Sequence, residues 1–228
     1  MPADDAPTRR VALPPLFPPA VEVVAMRFDE RLAEAPVPAS LSSAVPKRRA
    51  EFVAGRLCAR AALAALGAPV AEIPIGAMRA PVWPDGFVGS ITHTQRLAAA
   101  AVARASDLRS LGLDIERIVS EERARRLAPL VAREPELRQV GASDAARAFT
   151  AAFAAKEAVF KCLAPVVGCY FDFLDAQVVD GDEGALTVRL LRDLGELSAG
   201  FELTARFAFF DGFVAAAVVL DPPLPARS

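Results

Sequence analysis

Histidine is almost absent: His93 is the only one among 228 residues. A solitary imidazole is ordinarily a surface group or a satisfied core residue, so its neighbours must supply any reason for its position. Cysteine is scarce as well. Cys58, Cys162 and Cys169 make an odd number with no Cys-x-x-Cys pair. That argues against a disulfide framework or a zinc site, fits a reducing compartment, and reads as small buried hydrophobes. No apolar run approaches the roughly 20 residues of a membrane span. Neither sign of charge dominates, since 26 Lys and Arg against 28 Asp and Glu leave a net charge of −2. Such a balance offers no general attraction to nucleic acid or an anionic membrane, so any site for a polyanion must be local. Arg9 and Arg10 precede apolar residues, but Pro14, Pro15, Pro18 and Pro19 interrupt the core that a signal peptide needs. Residues 1–20 therefore read as an irregular lead-in, and the protein as cytoplasmic.

Apolar residues are plentiful at 54%, enough for one large domain or two small joined halves. Residues 21–28 read as a strand. Ser42 and Ser43 as caps, Pro46 in the first turn and Gly67 at the end bracket a long helix. "FVGSI" and "LAAAAVA" read as strands joined by "THTQR", which puts His93 in or beside a loop. Residues 121–133 read as a charged, solvent-exposed helix, and residues 144–163 as a stronger one capped by Ser143 or Asp144. The remainder is β: "LDAQVVD" and "ALTVRLL" flank a Gly-Asp-Glu-Gly turn, and "FELTARFAFF" and "FVAAAVVL" flank Asp211-Gly212, a favoured hairpin pair. The class is α+β. Two similar halves, residues 21–110 and 111–228, would each pack a long helix on a small antiparallel sheet, with a ligand cleft at their junction.

Several residues suggest chemistry, each beside a plainer reading. In "SLGLDIERI", Leu111, Leu113 and Ile115 share one strand face, and Asp114 and Glu116 share the other. An Asp-x-Glu pair suits a hard cation such as magnesium held against phosphates, but a polar strand face also explains it. Arg49, Arg56 and Arg60 line one side of the first long helix, with Arg48 adjoining; the alternative is a solvated face with Glu51 as partial counter-charge. In the later helix Lys156 falls on the side of Phe149, Phe153 and Phe160, and Glu157 and Lys161 edge the same stripe. A surface ion pair accounts for the last two, whereas partial burial would call for a metal or phosphate partner.

Four stretches, "KRRAEFVAGRLCAR", "PVWPDGFVGSITHT", "GLDIE" and "FAAKEAVFK", resemble in order and spacing the Sfp-type 4'-phosphopantetheinyl transferases, in particular the bacterial subgroup with the enterobactin-synthase component D proteins. The resemblance implies two α+β halves about a pseudo-twofold axis, with coenzyme A between them. It implies transfer of the phosphopantetheine arm to a serine of an apo acyl or peptidyl carrier protein, dependent on magnesium, with release of adenosine 3',5'-bisphosphate. The carriers would be those of nonribosomal peptide, polyketide or siderophore synthesis, and the enzyme a monomer. Carried over by position, Arg48 and Arg56 bind coenzyme A phosphates with Arg49 and Arg60 in support, and Thr92 and His93 contact the nucleotide and its phosphates. Arg79 is the one basic residue that "IGAMRAPVWP" offers the adenosine 3'-phosphate. Asp114, Glu116 and Glu157 are the magnesium ligands, Glu157 also the base, and Lys161 stabilises phosphate charge. Lys156 takes a phosphate or structural role, and Phe171 an apolar contact near the cofactor. Two other classes remain open: a non-catalytic coenzyme A or carrier-binding module, and a magnesium-dependent nucleotide hydrolase.

Overall fold

The computed structural model describes residues 7–69, 72–182 and 184–222. Among these residues, nine strands and four α-helices follow in the order β1 (Thr8–Val11), β2 (Glu22–Phe28), α1 (Pro46–Ala65), β3 (Phe87–Thr94), β4 (Leu97–Arg104), β5 (Ser110–Arg117), α2 (Glu121–Val131), α3 (Glu134–Gln139), α4 (Ala145–Val167), β6 (Ala176–Asp182), β7 (Ala185–Leu190), β8 (Glu202–Phe210) and β9 (Phe213–Leu220). They build two antiparallel sheets, ordered β1-β2-β4-β3 and β5-β9-β8-β7-β6. The fold is α+β and agrees with the class expected from the sequence.

A common plan underlies both sheets. The succession β2, α1, β3, β4 pairs its first strand with its last, and the succession β5, α4, β8, β9 does the same. The second copy carries additions: α2 and α3 before its long helix, and the β6–β7 hairpin after it.

Period-two alternation assigns each face. In β4 every residue from Leu97 to Ala103 is buried, so the strand is apolar throughout, as a strand covered on both sides must be. Ala98, Ala100 and Val102 pack with α1, whereas Ala99, Ala101 and Ala103 face a central core shared with Leu111, Leu113, Ile115 and Ala215 of the second sheet. On β5 the opposite face, which carries Gly112, Asp114 and Glu116, therefore turns to α4. The approach there is close. A Cβ on Gly112 would stand 1.9 Å from the carbonyl oxygen of Ala158 in α4, so only glycine lets the helix lie this near the strand.

β3 and β5 are edge strands of different sheets, and hydroxyls join them in place of a backbone ladder. Ser90 Oγ accepts from Leu113 N at 3.0 Å and Thr92 Oγ1 accepts from Ile115 N at 3.2 Å. Buried edge amides are thereby satisfied without a continuous sheet.

Three expectations change. The lead-in contains β1, which pairs antiparallel with the edge of β2; the prolines that suggested irregularity begin only after Val11. Its first six residues, and Glu183 of the expected Gly-Asp-Glu-Gly turn, lie outside the described residues. His93 is inside β3, paired with Ala98, and the turn shrinks to Gln95 and Arg96, both at positive φ. The serines do not cap α1: its N-cap is Val45, with no side-chain hydrogen bond, and Pro46 occupies the first turn, where its missing N–H costs nothing. Of the two caps offered for α4, Asp144 serves, accepting from Arg147 N at 2.8 Å.

The Gly112 contact makes a direct prediction. Gly112→Ala forces α4 off β5, and overpacking of this kind destabilises by about 1–3 kcal/mol. Urea unfolding should show a lowered midpoint, and an unchanged midpoint would contradict the close approach.

Candidate active site at the junction of the two sheets

Asp114 projects from β5 towards α4 and is 3% exposed. Its Oδ1 receives two hydrogen bonds, from Thr92 Oγ1 of β3 at 3.0 Å and from Lys161 Nζ of α4 at 2.6 Å. Lys161 also donates to the carbonyl of Leu113 at 3.3 Å. Asp114 Oδ2 is buried and has no hydrogen-bond partner. An anionic oxygen left bare in the interior is costly, and a bound cation would satisfy it.

Two further carboxylates feel the charge of Asp114. Burial, reinforced by the charge of Asp114, pushes Glu116 up to about 7, with Lys161 opposing and Glu157 adding to the rise. Burial also raises Glu157, against the pull of Lys161 and with the push of Asp114. The three acids expected to share a cation thus feel one another's charge. Among the described residues, however, no group of three or more His, Cys, Asp and Glu is gathered closely enough to form a ready metal cluster. Like charges disfavour one another's ionised form, and the Lys161 ammonium sits against Asp114 as counter-ion. The donor chemistry suits a hard cation; the closed ligand set is not preassembled.

A second cluster forms where α1 passes the end of β3. Arg48 Nη1 lies 2.6 Å from His93 Nε2, and Glu51 Oε2 lies 3.6 Å from both Arg48 Nη1 and His93 Nδ1. Burial foremost, then Arg48 and Lys161, push His93 down to about 4, so the ring is neutral at pH 7. The expected arginine stripe divides. Arg56 donates to the carbonyl of Ile73 at 2.8 Å and lies over the Phe52 ring at 4.5 Å; burial, with Arg48 adding, lowers it to about 10. Arg56 and Arg60 line a cavity of about 590 Å³ with Phe52 and Glu72. The Nε of Arg49 is buried without a partner.

Between the halves lies a cavity of about 440 Å³, walled by Trp83 and Ser90 from the first half and by Glu157, Phe160 and Lys161 of α4, with Arg79 at its rim. Met78 and Arg79 hold left-handed backbone, φ 50° and 62°, a conformation that costs non-glycine residues energy and often marks functional loops. Phe171 lies elsewhere: it is buried against Phe160 and lines a separate hollow of about 110 Å³ with Lys156, Glu157 and Tyr170.

Lys156 has a structural role. Its ammonium donates to Glu136 Oε2 at 2.7 Å and to the carbonyls of Val131 at 2.8 Å and Phe173 at 3.1 Å. Glu136 is fully buried and accepts in turn from Arg133 N and Val178 N. Sequence reasoning missed Glu136; the only trace is an acid three residues into a short helix, which capping alone explains.

The chain matches the family described as the 4'-phosphopantetheinyl transferase N-terminal domain over residues 37–103, and the 4'-phosphopantetheinyl transferase superfamily over residues 110–218. It is 41% identical over 201 residues to 4'-phosphopantetheinyl transferase Svp of Streptomyces mobaraensis, covering 81% of this chain and 77% of that protein. It is 34% identical over 202 residues to 4'-phosphopantetheinyl transferase PptT of Mycobacterium tuberculosis, covering 82% and 84%. To enterobactin synthase component D of Escherichia coli it is 37% identical over 145 residues, covering 62% and 66%.

Burial of Glu116 and His93 predicts how stability varies with pH. Glu116 rises from 4.5 unfolded to about 7 folded, so the folded state holds the extra proton and stability falls as pH climbs through that window. His93 acts oppositely, its contribution being lost as pH drops from 6.5 towards 4. In cation-free buffer Glu116→Gln should raise the melting temperature near pH 8 and change it little near pH 4.5. Equal melting curves at pH 8 would show that Glu116 is not strained.

Proposed function

Since the chain belongs to the 4'-phosphopantetheinyl transferase superfamily and is an enzyme of that class, we propose that it transfers the phosphopantetheine arm of coenzyme A to a serine of an apo carrier protein, with magnesium, and releases adenosine 3',5'-bisphosphate. The observation that carries this reading is Asp114, held through one oxygen by both halves and bare at the other, beside Glu116, Glu157 and Lys161.

Each residue has a task that its surroundings suit. Arg48 and His93 take a phosphate at the end of β3, and Arg56 extends the basic ground along α1, an arginine fork being matched to phosphate oxygens. Thr92 fixes Asp114 from the first half. Lys161 stabilises charge that builds on the diphosphate as the bond to the leaving group lengthens. Glu157 accepts the serine proton, and a carboxylate raised by burial is better matched to that work near neutrality than an ordinary one. The serine oxygen forms its bond to the β-phosphorus of the diphosphate while the bond to the bridging oxygen breaks. The adenosine bisphosphate departs with the electron pair. Asp114, Glu116 and Glu157 would hold magnesium, which would supply neutralisation of the diphosphate charge.

The enterobactin synthase relatives favour a siderophore-type carrier. No helix among the described residues is long and apolar enough to cross a membrane, and we place the reaction in the cytoplasm. Two similar halves already enclose the cavity, so a monomer suffices.

Incubation with coenzyme A, magnesium and an apo carrier should add the mass of one phosphopantetheine arm to the carrier. A binding module would add nothing, and a hydrolase would consume coenzyme A without a carrier. Glu157→Gln should slow transfer by about 10²–10⁴-fold, the usual worth of a general base, with the fold retained; turnover near the unsubstituted rate would refute that role. Arg48→Ala should chiefly raise KM for coenzyme A.

A further inference from the structure

Glu51 has no task in the transfer as derived above, yet it is 9% exposed and sits among positive groups. Lys47 Nζ is 3.8 Å from its Oε1, and Arg48 Nη1 and His93 Nδ1 are each 3.6 Å from its Oε2. Guanidinium groups only donate, so the 2.6 Å contact makes Nε2 of His93 the acceptor and leaves the ring proton on Nδ1. That nitrogen lies 3.6 Å from Glu51 Oε2, an ion-pair distance beyond hydrogen-bond reach. Among the described residues Glu51 is the one carboxylate within ion-pair distance of this cluster, and the charge of Arg48 is near enough to disfavour that of Arg56. Without it, Arg48 would lose its neighbouring counter-charge, and the contact that makes Nε2 the acceptor would loosen.

We propose that Glu51 is a positioning residue: it holds the Arg48 guanidinium against His93 and keeps the imidazole in its Nδ1–H form, so that a phosphate of coenzyme A meets an assembled pair. The proposal rests on the reading that Arg48 and His93 contact the cofactor's phosphates. It also makes a prediction of sign. Glu51 is an anion beside an anion site, so as a mere charge it would oppose phosphate binding, and its neutralisation would tighten coenzyme A. As a positioning residue it has the reverse effect, and its neutralisation weakens the complex.

Because His93 is the sole histidine, the ring 15N resonances of labelled protein belong to it without further assignment. At neutral pH the unsubstituted protein should show a protonated Nδ1 and an unprotonated Nε2. Glu51→Gln should give a mixture of tautomers and a KM for coenzyme A raised roughly tenfold, equivalent to about 1.4 kcal/mol, with kcat lowered much less. Glu51→Asp should recover part of both. An Nε2–H ring in the unsubstituted protein would overturn the proposal, as would an equal or lower KM in Glu51→Gln. Should Glu51→Gln fail to fold, the unsubstituted spectrum and Glu51→Asp decide. Calorimetric titration of Arg48→Ala and His93→Ala with coenzyme A separates the underlying reading: affinities equal to the unsubstituted protein's would remove the phosphate contact itself, whatever the ring spectrum shows.

Discussion

A buried carboxylate bound from two sides defines this molecule. Asp114 leaves β5 on the face turned to α4, takes a hydrogen bond from Thr92 of the first sheet and another from Lys161 of the second half, and keeps one oxygen bare. Each condition has a structural cause. Alternation along β5 gives the direction, Gly112 lets the helix come near, and the hydroxyls of Ser90 and Thr92 replace a ladder where the two sheet edges meet. Removing Lys161 would leave the buried carboxylate without its counter-charge, a loss on the order of 3–5 kcal/mol.

Two lysines on one helix show how a working charge differs from a structural one. Lys156 spends all three of its donors on protein acceptors, and its partner Glu136 is satisfied at both oxygens. The pair is closed and locks α3, α4 and β6 together. Lys161, five residues on, meets a carboxylate that is only half satisfied, in a cavity it shares with Glu157. Saturation, more than burial, distinguishes them: an unfilled valence on a buried anion leaves a place for something the chain does not itself provide.

What could be read in the sequence was local. The alternation of "SLGLDIER" correctly placed Asp114 and Glu116 on one face, and helical periodicity put Lys156, Glu157 and Lys161 near the aromatic stripe. Asp211-Gly212 adopts positive φ at both positions, as its hairpin requires. What escaped was tertiary. Lys161 and Asp114 are 47 residues apart, and no periodicity announces that they touch. The helical wheel grouped Arg49, Arg56 and Arg60, but the loop around Ile73 claims Arg56 while His93 claims Arg48. In the sequence nothing separates Glu136 from an ordinary helix-start acid, because the lysine that needs it lies on another element. Glu51 was noticed only as a counter-charge, since the imidazole beside it arrives from a strand more than 40 residues away.

The account stands on the claim that the bare oxygen of Asp114 is a cation ligand in the coenzyme A complex. Anomalous scattering from crystals grown with coenzyme A and manganese in place of magnesium tests it directly. A peak in contact with Asp114 Oδ2 and with the cofactor's diphosphate is the predicted result. Manganese bound to the diphosphate alone, with Asp114 still held only by Thr92 and Lys161, would contradict it.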